Sequence, residues 1–213
     1  MFEEKRWLDL LLTIKYTNNI VNQNKLKLMW QDYLDNYDIS HHIPESPVNE
    51  SIEFLRFIIK QSSLNKLQSA IAEYELKRNL TLAYNFDDQS TFIVNNFESI
   101  KKYQFYKAKI NPSFIIFESV DKEAYNYVFS YILKKENLPD GLMICFYKNP
   151  YTLKVHRVIL SKKSYEKIND LISCDTLKNY SNNFRPNNNV KTNLLLNLYN
   201  ANLVFIDRVN YHD

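Results

Sequence analysis

Few side chains in this sequence have the type and spacing that catalysis or metal binding requires. Of its four histidines, His41 and His42 are adjacent in a Pro-flanked stretch, His156 lies in an apolar run and His212 is near the end. Adjacent side chains do not automatically converge, whereas helical ligand pairs sit at i and i+4. No Cys or carboxylate cluster completes a ligand set, so no metal site is expected in this chain. Glu73-Tyr74-Glu75-Leu76-Lys77 contains the Glu-x-Lys triplet that gives some magnesium nucleases a carboxylate and a lysine. It falls in a helical pattern with no strand-end Asp before it, and an exposed helix face carrying a Glu73–Lys77 pair is the simpler reading. Ser161 and Ser164 have neighbours suited to helix caps, not to activating a nucleophile. Gly141 is the single glycine, and one glycine cannot build the amide-rich loop of a Walker or dinucleotide site. No catalytic residue is assigned, and the chain is not expected to be an enzyme.

Composition narrows the class further. The 213 residues suit one domain or two small ones, and 45% hydrophobic with 15% aromatic content is enough for a core. The net charge of +3 is spread among nearly equal numbers of acids and bases. A committed nucleic-acid binder concentrates its basic residues. Cys145 and Cys174 read as separate reduced thiols. No apolar run reaches the ~18 residues of a membrane span, and MFEEKRW is not a signal peptide. A soluble cytoplasmic protein without a membrane partner is expected.

The apolar spacing predicts helices over Glu3–Tyr16, Asn24–Tyr37, Ser51–Ile59 and Leu64–Leu80. Ser63 is the expected cap of the last, and the Pro44 and Pro47 stretch reads as a breaker. These elements predict a packed helical bundle. Thr91–Val94, Tyr103–Ile110 and Phe114–Phe117 read as extended, and Asp121–Lys135 returns to helical spacing. Leu138-Pro139-Asp140-Gly141 is the clearest linker, giving expected domains of 1–137 and 138–213.

Beyond that linker, Leu142–Tyr147 and Thr152–Leu160 are rich in Val, Ile, Phe and Tyr and flank Lys148-Asn149-Pro150-Tyr151, a hairpin pattern. Ser161 stands at an N-cap position before Tyr165, Ile168, Leu171 and Ile172. A short helical piece is possible from Asp175. Val190, Leu194, Leu198 and Ala201 mark a further helix, and Leu203–Ile206 a last strand. Hairpin, helices and closing strand describe a winged helix, so the expected class is α+β: an N-terminal helical bundle followed by a C-terminal winged-helix domain.

The succession of segments resembles the partner proteins of multinuclear non-haem iron oxidative enzymes in ribosomal-peptide natural-product pathways, the methanobactin partner subunit among them. Three places carry the resemblance: the helix with Leu64, Leu67, Ala72, Tyr74 and Glu75; the segment Ala108-Lys109-Ile110-Asn111-Pro112-Ser113-Phe114; and the terminal unit, similar to a winged-helix peptide-recognition element. The family commonly has Gly after its first terminal helix and before its last strand. This chain has Ser173-Cys174 and Asn200-Ala201-Asn202 there, and Asn tolerates the left-handed backbone of a helix end.

The resemblance implies a non-catalytic subunit that needs no cofactor of its own, the iron lying in a separate enzyme with which it forms a heterodimer. It further implies that this chain binds the leader of a precursor peptide and presents it for post-translational modification. An extended leader adds to a sheet edge as an extra strand. The implied peptide-binding residues are Thr152, Lys154, Val155, His156, Arg157, Val158 and Ile159, with Leu194 and Leu198 on the opposing helix. The implied enzyme interface comprises Tyr74, Glu75, Asn111, Pro112 and Phe114. The competing reading is a winged-helix transcriptional regulator, for which a helix over Val190–Ala201 offers only Lys191, Asn193 and Asn197 as polar readers. A third is a structural or interaction protein using the helical bundle as its interface.

Overall fold

The computed structural model describes residues 2–36, 46–61, 63–86, 106–117, 122–134, 141–175 and 197–208. The chain is α+β and mostly helical. It divides into two compact units, Met1–Tyr84 with Ile115–Asp140 and Asn85–Phe114 with Gly141–Asp213. The segment 85–114, placed by its position with the N-terminal helices in the sequence reading, groups with the C-terminal unit. Its strand pairs with the last strand of the chain, a long-range partner that local periodicity does not announce.

The first unit contains α1 (Phe2–Thr13), α2 (Lys15–Ile20), α3 (Gln23–Asn36), α4 (Pro47–Lys60), α5 (Lys66–Ala83), the short strand β2 (Ile115–Phe117) and α6 (Lys122–Leu133). The single helix expected over Glu3–Tyr16 breaks at Ile14, where φ −110 and ψ 40 leave helical geometry. Pro47, expected as a breaker, is the first residue of α4, with Ser46 Oγ accepting from the Asn49 amide at 3.2 Å. Proline fits there because the first-turn amides lack intrahelical acceptors anyway. The cap of α5 is Asn65, not Ser63. It forms a reciprocal capping box with Gln68.

Trp7, Leu10, Ile14, Leu26, Met29, Trp30, Tyr33, Phe54, Leu55 and Ile58 make the core of this unit. Trp30 lies at its centre, 5.3 Å from Tyr33 and 5.5 Å from Phe54 between ring centroids. A second aromatic chain runs Tyr74–Phe117–Tyr125–Phe129, with successive centroids 5.7, 5.6 and 4.9 Å apart. Among the described residues no helix is long and apolar enough to cross a membrane.

The second unit contains β1 (Tyr106–Ile110), β3 (Leu142–Lys148), β4 (Val155–Ser161), α7 (Lys162–Ser173) and β5 (Val204–Arg208). β1 and β5 pair antiparallel from Tyr106↔Arg208 to Ile110↔Val204. β3 and β4 pair antiparallel from Leu142↔Ser161 to Lys148↔Val155. Ala108, Tyr147, Ile168, Leu171, Leu198, Leu203, Val204 and Ile206 form the core, with Val158 and Leu160 packed against it. Gly141 enters β3 at φ +81, a left-handed backbone that glycine adopts without strain.

The cap predicted at Ser161 is present: its Oγ accepts from the Ser164 amide at 3.1 Å. α7 leaves through Cys174 with φ −75 and ψ 135, so the extended exit needs no glycine. Asn202 does adopt the left-handed conformation, φ 57, after the helical residues 197–200. Asn202 N–H donates to Tyr199 C=O and Leu203 N–H to Leu198 C=O, a Schellman ending. The expected segments Thr91–Val94 and 176–196, including Leu194, lie outside the described residues.

Candidate functional site

The site named by the sequence centres on β4, and the ladder decides how its residues are arranged. The strand begins at Val155, not Thr152. Asn149 Oδ1 accepts from the Tyr151 and Thr152 amides at 2.9 Å each, folding Tyr151–Leu153 into a side-chain-closed turn. Thr152 and Lys154, expected on the docking strand, therefore belong to the exposed turn and its exit.

Side chains along a strand alternate between faces, so His156 and Arg157, both expected among the peptide-binding residues, point to opposite sides. Val158 and Leu160 share their face with Tyr147 and pack into the core. His156 sits on the same face at its rim, exposed, with its ring stacked 5.3 Å from that of Tyr147. Burial raises the Tyr147 phenol above its usual range. Val155, Arg157 and Ile159 occupy the other face, Arg157 exposed and the two aliphatic residues half-buried. Among the described residues β4 pairs with β3 alone.

Leu198 does not line an open wall. It is 8% exposed and packed in the core of the second unit.

The residues assigned to an enzyme interface divide in the same way. Tyr74 and Glu75 are each 1% exposed and Asn111 is fully buried. Such residues can support a contact surface but cannot face a partner across it. Pro112 is exposed, and Phe114 is half-buried, stacked 6.5 Å from Tyr165.

Asn111 is a structural junction that periodicity could not reveal. Its Nδ2 donates to the carbonyls of Lys148 at 3.0 Å and Asn202 at 2.8 Å. Its Oδ1 accepts from Ser113 N–H at 2.9 Å and Ser113 Oγ at 2.5 Å. Ser113 Oγ in turn accepts from Lys148 N–H at 2.8 Å. One neutral amide therefore joins the end of β1, the end of β3 and the turn before β5.

The Glu73–Lys77 face of α5 is less exposed than expected. Burial raises the Glu73 carboxyl, and Lys77 draws it back in part. Glu75 points inward and accepts from the Tyr16 and Thr17 amides at 2.7 Å each. Ile14 has no side chain to cap α2, and Glu75 performs that task from another helix. Burial pushes its carboxyl up to about 7, with Thr17, Tyr16 and Arg78 pulling the other way.

Cys145 is buried and Cys174 donates to the Asp170 carbonyl at 3.2 Å. Burial, then Asp170 and Asp175, raise the Cys174 thiol, the opposite of an activated nucleophile. Among the described residues no three His, Cys, Asp or Glu side chains gather as metal ligands. No protein-family model matches the chain, and no curated protein matches it in sequence.

Proposed function

We propose that this chain is a non-catalytic partner subunit that holds an extended precursor-peptide leader along β4 and presents it to a separate multinuclear iron oxidative enzyme. The second unit is then a winged-helix peptide-recognition element. Its iron-bearing partner performs the chemistry and this chain supplies position.

One observation carries the reading: β4, seven residues long, has one described strand neighbour and is backed by a packed core. A strand so placed offers backbone donors and acceptors in a fixed row, which is what strand addition uses for affinity. Holding the leader there raises the effective concentration of the segment to be modified at the partner's site. The burial of Tyr74, Glu75 and Asn111 assigns them to shaping their units. The enzyme-facing positions are left to exposed residues such as Pro112.

The test is co-expression with a multinuclear non-haem iron oxidase of the proposed class, purification through a tag on this chain, and assay of the eluate for iron. A stoichiometric iron-bearing partner supports the proposal. Elution of this chain alone and iron-free, with duplex DNA binding that weakens steeply with salt, replaces it with the regulator reading.

A further inference from the structure

The break between α1 and α2 is held from a single helix. Gln68, Ala72, Glu75 and Asn79 follow one another at four, three and four residues and line one face of α5. Asn79 Nδ2 donates to Thr13 C=O at 3.3 Å, and Gln68 Nε2 donates to Ile20 C=O at 3.3 Å. Between them Glu75 accepts from the Tyr16 and Thr17 amides. Three side chains of α5 thus take the end of α1 and both ends of α2, and the buried Ala72 is short enough for the backbones to approach. α2 has six residues, and its one buried side chain is Thr17. A helix that short does not hold by itself.

Of the three polar side chains, only Glu75 can change charge. It is as deeply buried as Glu50, but Glu50 is gripped by Arg6. Among the described residues no ion pair reaches Glu75. Arg78 acts on it from a distance, its Nη1 donating instead to Asn79 Oδ1 at 3.0 Å. The other groups facing this stretch of α5 are neutral: the Thr17 hydroxyl on α2, and the Ser51 hydroxyl on α4, which bonds Asn79 at 2.8 Å. β2 and α6 meet it through rings, Phe117 on Tyr74 and Tyr125 beyond. Glu73 and Lys77 lie two residues to either side of Glu75 and so on another face. A carboxyl enclosed without a counter-ion favours its neutral form, in keeping with the upward shift described above.

We infer that the α1–α2 joint is a proton-controlled latch: with Glu75 protonated α2 stays seated on α5, and loss of that proton releases α2 while α1, α4 and α5 keep their common core. Release gives the carboxylate water, frees the Tyr16 and Thr17 amides and draws the Tyr16 ring off the edge of Tyr74, 5.8 Å away between centroids. Trp7, Leu10, Trp30, Phe54 and Leu55 hold the rest of the unit together without α2. The sign follows from linkage. The closed joint binds the proton more tightly than the open one, so rising pH favours opening.

The experiment is amide hydrogen exchange of the full chain followed by NMR between pH 6 and pH 8, corrected for the intrinsic pH dependence of exchange. Protection at Tyr16 and Thr17 should lie below that at Leu55 and Ile58 at every pH, which marks a local opening. It should fall about tenfold from pH 6 to pH 8, for a carboxyl near 7 when closed and near 4.5 when open. In Glu75→Gln the Tyr16 and Thr17 protection should no longer change with pH. Arg78→Gln keeps the titrating group but removes the charge that favours its ionised form, and should move the fall to higher pH.

Protection at Thr17 equal to that at Leu55 throughout means that α2 opens only with the whole unit, and overturns the latch. A parent chain whose Thr17 protection ignores pH overturns it as well, as does a fall that survives in Glu75→Gln. If Glu75→Gln does not fold, Arg78→Gln decides: a fall left at its original pH removes the assignment to Glu75.

Discussion

In the helical unit the buried polar side chains that tie distant elements together include charged ones. Glu50 is gripped by Arg6 through two nitrogens, and Glu75 accepts two amides at the start of α2. In the sheet unit the corresponding junction is neutral, built from Asn111, Ser113 and the backbone of Lys148 and Asn202. The difference follows from what each architecture leaves unsatisfied. A helix start presents several donors and no acceptor, and a carboxylate is the strongest answer, at the cost of desolvating a charge. The meeting of strand ends and turns leaves carbonyls and amides together, and one side-chain amide satisfies both kinds. The helical unit should therefore be sensitive to pH where the sheet unit is not.

The largest expected effect is in the neutral junction. Asn111→Ala leaves two carbonyls and the Ser113 donors without their partner, a loss of about 4 kcal/mol at 1–3 kcal/mol per stranded buried group. Urea unfolding followed by far-UV circular dichroism should give the same loss at pH 5 and pH 8. A loss below about 1 kcal/mol, or one that changed with pH, would break the contrast from the sheet side.

The next effect belongs to Glu75, and its sign is set by burial. A carboxyl raised from 4.5 to about 7 in the fold contributes stability that is fully present below about pH 4.5 and is lost as pH rises through about 7. At 1.36 kcal/mol per unit the span is about 3 kcal/mol. Glu75→Gln cannot titrate, so the fall in stability between pH 5 and pH 8, which covers most of that span, should be smaller by about 2.5 kcal/mol. Parallel pH profiles for the variant and the parent chain would show that the buried carboxyl does not govern the helical unit.

Why the sequence disclosed some of this and hid the rest is visible in these same residues. Helix periodicity located α3, α4, α5 and α7 because apolar spacing is local, and Ser161 was readable as a cap because capping spans three residues. Asn202 was legible for a similar reason: asparagine is one of few side chains suited to a left-handed helix end. The cap of α2 was not legible, because its acceptor, Glu75, comes from another helix. Asn111 looked like a turn residue, and two of its four side-chain contacts reach Lys148 and Asn202, far along the chain. At the candidate edge the sequence marked Thr152–Leu160 as one strand of a hairpin. The division of His156 and Arg157 between faces follows from strand alternation alone, whereas which of the two faces meets the core, and the withdrawal of Thr152 into the turn, required the packing and the contacts of Asn149.

Arg6→Ala probes whether the charged contact in the helical unit is more than a surface pair. Glu50 is nearly enclosed, its side chain 6% exposed against 19% for Arg6, and the guanidinium also lies 5.5 Å over the Trp30 ring. Removing Arg6 strands a buried carboxylate and uncovers the indole, for a loss of about 2 kcal/mol, below the range for a fully enclosed pair because Arg6 keeps some solvent. Arg6→Lys retains charge without the two-pronged grip and should recover less than half of that loss. Full recovery by lysine would reduce the contact to simple charge proximity.

The smallest effect separates the two left-handed non-glycine positions among the described residues of the sheet unit. Asn202 at φ 57 ends a helix with two hydrogen bonds in place. Leu153 at φ 56 is a γ-branched residue, 57% exposed, in the hairpin turn. A left-handed conformation costs a side-chain-bearing residue about 1–2 kcal/mol, and the backbone here is held by Leu153 N–H donating to Asn149 C=O at 2.9 Å. Leu153→Gly removes the strain but adds unfolded-state entropy of about 0.5–1 kcal/mol, so the net gain should be about 0.5 kcal/mol. Leu153→Asn relieves part of the strain without that entropy and should gain a similar amount, read as a small rise in urea midpoint at unchanged slope. A loss in both variants would mean that the exposed leucine packs on its own unit strongly enough to outweigh its backbone strain. The turn would then resemble the Asn111 junction, where side-chain contacts set the backbone.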